Sequence, residues 1–123
     1  QTNVLFAWSW ILCGLLSGTA LGLFFHQPNW LGGYGSWHRR MIRLGHISFV
    51  GTGLLNLAYG LSVVSGQISP EPKLASGAFI VGAVTMPTVC FLSAWNERCR
   101  HLFFVPVVGL LLATGVSVWT GWH

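Results

Sequence analysis

The run Val4-Leu5-Phe6-Ala7-Trp8-Ser9-Trp10-Ile11-Leu12-Cys13-Gly14-Leu15-Leu16-Ser17-Gly18-Thr19-Ala20-Leu21-Gly22-Leu23-Phe24-Phe25 contains no charged residue. A helix rises about 1.5 Å per residue, so such a run is long enough to cross a hydrocarbon layer of about 30 Å. It stops at His26-Gln27-Pro28-Asn29, a helix-ending cluster. Three further runs of the same kind follow. The second opens behind the basic segment His38-Arg39-Arg40-Met41-Ile42-Arg43 and covers about 41–64. The third covers 74–95, beyond a polar, proline-bearing turn, and the fourth covers 102–122, beyond Asn96-Glu97-Arg98-Cys99-Arg100-His101. Backbone polar groups must be paired internally in hydrocarbon, and these runs are apolar on every side. Helices are therefore expected, not barrel strands.

Composition points the same way. Of 123 residues, 53% are hydrophobic and 7% are charged, against roughly 25% charged in ordinary soluble domains. Six Lys/Arg and two Asp/Glu cannot cover a soluble globule, and a chain this apolar does not stay disordered. The expectation is an all-α integral membrane protein, with a single transmembrane domain over 1–123 forming a four-transmembrane-helix bundle. Gln1 stands where a Met would begin a chain, and the first apolar run starts almost at once, so a trimmed N-terminus is expected. No basic segment precedes a short apolar core, as a secretory signal would require.

Orientation follows from the basic residues. Arg39, Arg40 and Arg43 lie between the first two runs, and Arg98 and Arg100 between the last two. The remaining loop carries Lys73, offset by Glu71. The positive-inside rule makes both arginine loops cytoplasmic and both termini external, N-out/C-out. Trp8, Trp10, Trp119 and Trp122 then mark the outer interface, and Trp30, Trp37 and Trp95 the inner one. A multi-pass protein of the bacterial inner membrane is the expected setting.

Gly14, Gly18 and Gly22 are spaced four apart and share one helix face, with Ser17 beside them. Such a stripe supports close packing against another helix, of this chain or of a partner, or a groove for a lipid, carotenoid or pigment tail. Trp8 and Trp10 would anchor a partner contact at the outer end. In the third run Pro87 frees the carbonyl of Ala83, which Thr85 and Thr88 are placed to re-satisfy.

The second run is the most polar. His46 lies one turn beyond Arg43, Gly53 and Gly60 follow it at steps of seven, and Asn56 flanks that face. Polar groups in an apolar helix face protein or a cofactor rather than lipid. A histidine with glycines above it suits a flat metal-centred ring: imidazole binds iron or magnesium, and the missing side chains let the ring approach. The stretch from His38 to His46 resembles the basic-then-histidine helix starts of membrane haem proteins, over that one segment. His46 paired with His101 would ligate a b-type haem, and His46 alone a chlorophyll-type magnesium. The other reading leaves His26, His38 and His101 at headgroup level and His46 hydrogen-bonded between helices.

Other chemistry is poorly represented. Cys13, Cys90 and Cys99 form no CxxC pair, and no phosphate loop, HExxH or Ser/His/Asp arrangement occurs. Apart from Arg43 at the very start of the second, no Asp, Glu, Lys or Arg lies within a run, which disfavours pumps, ion-coupled transporters and hydrolases. The arginines flank the runs, so they serve topology and anionic lipid rather than nucleic acid. The expected function is a non-catalytic membrane subunit of a larger respiratory or photosynthetic complex, in contact with other membrane subunits and lipids. The alternative is a free-standing haem- or pigment-binding electron carrier, with a small transporter as a distant third.

Overall fold

The computed structural model describes residues 2–70 and 73–122; Gln1 and Glu71, which enter the sequence argument, lie outside them. Helix α1 runs Thr2–Phe25, α2 Trp37–Val64, α3 Leu74–Trp95 and α4 Phe104–Gly121. Short 3-10 turns at Trp30–Gly32 and Glu97–Phe103 precede α2 and α4. No strand occurs among the described residues. All four helical segments are long and apolar enough to cross a membrane.

Local chemistry sets the boundaries. Helix α2 begins at Trp37, a turn before its apolar run, because the Ser36 side chain caps it by accepting from the Arg39 N–H at 3.2 Å. It ends in a Schellman motif. Gly66, at φ 76°, donates to the Val63 carbonyl at 3.0 Å, and Gln67 donates to the Ser62 carbonyl at 2.9 Å. Leu102 and Phe103 belong to the 3-10 turn, so α4 starts at Phe104 and places Pro106 in its first turn, where no intrahelical donor is needed.

The helices pack in chain order, α1 on α2, α2 on α3 and α3 on α4, without extended contact between α1 and α4. Tyr59 of α2, Ala75 and Phe79 of α3 and Ala113 of α4 form the main apolar cluster. Neighbouring helices are antiparallel. Trp37, at the start of α2, donates from Nε1 to the Ser93 carbonyl near the end of α3 at 2.6 Å. Gly121, at the end of α4, lies against Gln67 and Ile68 in the α2–α3 loop. Arg39 to Arg43 and Arg98 to Arg100 therefore share one end of the molecule.

Buried polar groups tie the helices together where apolar packing has little directional preference. Asn56 is fully buried, and its Nδ2 donates to the carbonyls of Thr52 at 3.0 Å and Phe79 at 3.1 Å. Its Oδ1 accepts from Asn3 Nδ2 at 2.8 Å, and Asn3 Oδ1 accepts from the Ser76 hydroxyl at 2.5 Å. Three helices thus meet at one clasp.

The Ala83 carbonyl that Pro87 frees is satisfied from another helix. Trp10 Nε1 of α1 donates to it at 3.1 Å. Thr85 and Thr88 do not supply the partner, since their hydroxyls bond Val81 and Val84. Trp10 is accordingly half-buried between Phe6 and Phe49, whereas Trp8, Trp95, Trp119 and Trp122 at the helix ends are exposed.

Arg39 is a further departure from a headgroup-facing arginine. It is 1% exposed. Its guanidinium donates to the carbonyls of Phe25 and Gln27 at the end of α1, and sits 3.9 Å from the Tyr34 ring centroid and 4.8 Å from that of Phe25. A cation beside the last carbonyls of a helix satisfies acceptors that have no intrahelical partner and complements the helix dipole.

Candidate functional site

His46 sits on α2 where α1 crosses it. Its Nδ1 is 3.2 Å from the Ser17 hydroxyl, and that hydroxyl donates its only proton to the Gly14 carbonyl at 2.9 Å. With that proton on Gly14, Ser17 accepts from the imidazole, and the tautomer that fits is protonated at Nδ1 with the lone pair on Nε2. This tautomer is inferred from the hydrogen-bond pattern.

Two glycines of α1 make the site. A Cβ on Gly18 would stand 2.5 Å from His46 Cε1 and 3.0 Å from Nε2, so only glycine admits the ring there. A Cβ on Gly22 would meet nothing within 4 Å. Beside them lies a groove of about 290 Å³, walled by Phe25 and Ile47 and bordered by His46 and Arg43. Arg43 and Ile47 also border a smaller groove of about 230 Å³ that includes Arg40. A larger cavity of about 330 Å³ lies between α2 and α4, but Tyr59 is its only titratable lining residue.

The remaining expected site residues are dispersed. Gly53 and Gly60 share the α2 face with His46, but α1 fills the space above them. A Cβ on Gly53 would meet Ile11 Cγ1 at 2.8 Å, and one on Gly60 would meet Val4 Cγ2 at 2.6 Å. Asn56 belongs to the three-helix clasp. His101 lies exposed in the 3-10 turn packed on α3 and α4, and no hydrogen bond or ring contact joins it to His46. No group of three or more His, Cys, Asp or Glu is placed to hold a metal ion among the described residues. Gly14 and Gly18 pack on α2 of the same chain, against Val50, Phe49 and His46, and only Gly22 stays open.

Asn3 and the specific role of Ser17 escape a reading by sequence alone. A lone Asn in the first turn of an apolar helix is one signal for the former. For the latter the signal is a serine three residues after the carbonyl it can bond.

No family model, no curated protein and no solved structure matches this chain.

Proposed function

We propose that this chain is a multi-pass integral membrane protein acting as a non-catalytic subunit of a larger energy-transducing membrane assembly, respiratory or photosynthetic. The observation that carries this reading is the uncovered apolar surface on the two outermost helices. In the most apolar window of each segment, 11% of α1 and 17% of the segment ending in α4 are buried. Leu5, Leu12, Leu15 and Leu23 of α1 and Val108 and Leu111 of α4 are exposed. Apolar flanks this extensive suit lipid and neighbouring helices. Because Gly14 and Gly18 are engaged within the chain, the partner contact falls to the leucine face of α1 rather than to its glycines.

Native electrophoresis of the full chain in mild detergent tests the assembly. The expected result is migration in a complex well above the monomer, with the same partner subunits at fixed stoichiometry. Migration as a lone monomer overturns the subunit reading in favour of a free-standing cofactor carrier, which the His46 groove independently supports.

The same proposal orients the chain with its arginine-bearing end in the cytoplasm. A thiol introduced by Ser69→Cys, at the opposite end, should react with an impermeant reagent from outside the cell. Reaction only from the cytoplasmic side reverses the orientation.

A further inference from the structure

We infer that the His46 groove binds a metal-centred tetrapyrrole, with His46 Nε2 as the axial ligand and Ser17 as the positioning residue that holds the imidazole in the ligating tautomer. The inference rests on the membrane-spanning part of the reading above and not on the assembly.

The chemistry of the donor set selects the ligand class. A metal-ligating histidine characteristically donates its other ring N–H to a fixed acceptor, which sets both ring orientation and tautomer. His46 fits that arrangement in the tautomer whose Nδ1–H donates to Ser17, with the hydroxyl proton directed to Gly14. The nitrogen left over is a lone-pair donor to a metal.

The surroundings suit a flat ring. Gly22 presents bare backbone to the groove, and Phe25 and Ile47 give it apolar walls. Arg43 stands at its border, one turn from His46, where a guanidinium can pair with the carboxylate groups that many tetrapyrroles carry on one edge. Iron and magnesium both accept a single imidazole, so the shared feature is the metal-centred ring. One chain supplies one axial ligand.

The test uses the purified full chain in detergent micelles, titrated separately with ferric protoporphyrin IX and zinc protoporphyrin IX. Saturable one-to-one binding with a shifted, sharpened Soret band is expected for at least one of them. Saturation by the iron ring alone assigns a haem, and by the zinc ring alone a closed-shell pigment of the chlorophyll type. Gly22→Leu should abolish saturable binding while leaving the helical circular-dichroism spectrum unchanged, because a Cβ there meets no atom within 4 Å and the side chain fills the groove rather than a helix contact. His46→Gly should abolish the band, and added imidazole should restore it. Ser17→Ala should weaken binding by about 10-fold and alter the metal–histidine stretching frequency, as loss of an outer-shell partner does. Arg43→Gln should weaken binding of the free acid but not of its dimethyl ester.

Uptake without saturation overturns the inference, as does saturable binding unchanged in both Gly22→Leu and His46→Gly. Binding of phosphatidylglycerol that depends on Arg43, with no porphyrin bound, would make the groove a lipid site instead. A monomer on the native gel that still binds the ring removes the assembly reading and leaves this one standing.

Discussion

Replacing Arg39 with methionine is expected to destabilise the protein by about 3 kcal/mol, despite the similar length of the side chain. The loss is of charge-assisted hydrogen bonds, worth ~1.5–3 kcal/mol each, and it leaves the carbonyls at the end of α1 without that donor. The Phe25 and Gln27 carbonyls lose their partner, and the Phe25, Trp30 and Tyr34 rings lose the cation they surround. Arg39→Lys should recover only part of this, since an ammonium cannot reach several carbonyls with a planar fork. Unfolding of the detergent-solubilised chain in sodium dodecyl sulfate, followed by circular dichroism, measures both. Limited proteolysis between Phe25 and Trp37 should accelerate in Arg39→Met, because that connection is held to α2 by the guanidinium. Arg40→Gln, one position on at an exposed site, is the control and should change neither.

Gly60→Leu is expected to cost about 3 kcal/mol, at the upper end of overpacking effects. A first carbon there already lies 2.6 Å from Val4 Cγ2 and 3.1 Å from the Val4 backbone nitrogen. A side chain can rotate away, but a backbone nitrogen moves only if α1 moves. The start of α1 is also where Asn3 meets Asn56 and Ser76, so displacing it opens the polar clasp. Gly51→Leu, with nothing within 4 Å of its Cβ, should be close to neutral under the same measurement. Leu is the better helix former of the two residues, so helix propensity cannot account for a loss, and equal losses in both variants would show that contact with α1 does not govern the response.

These glycines show which information the sequence carries. Gly53 and Gly60 are legible as a bare face above His46, because helical periodicity aligns residues along one helix. What covers that face depends on how the neighbouring helix is rotated about its own axis. A run that is apolar on all sides does not encode that rotation. Clearance expected for a ring proves to be clearance for Val4 and Ile11.

The same limit applies elsewhere. The four long helices are legible to within a few residues because apolar runs of hydrocarbon-crossing length leave few alternatives. Helix α2 exceeds its apolar run because a hydrogen bond, not hydropathy, starts it at Ser36. Pro87 discloses a freed carbonyl, but Thr85 and Thr88 are only its nearest donors in sequence, and the indole of Trp10 arrives from α1. Arg39 and Arg43 are alike by charge and by position beside a span. One is buried as the cap of α1 and the other borders a groove, a difference set by the path of the Gln27–Ser36 connection. At the candidate site His46 and Gly18 were both legible as unusual residues, whereas their contact across two helices was not.

The chain-order packing of the helices bears on how the molecule is made. Each helix after the first packs on the one synthesised just before it, so α2 can dock on α1, and α3 on α2, while later segments are still being added. The exception is Asn3. Made with the start of α1, it gains its bond to Ser76 only after some seventy further residues have followed it. Until then its amide can be held by Asn56 alone, and the arrival of α3 closes the clasp.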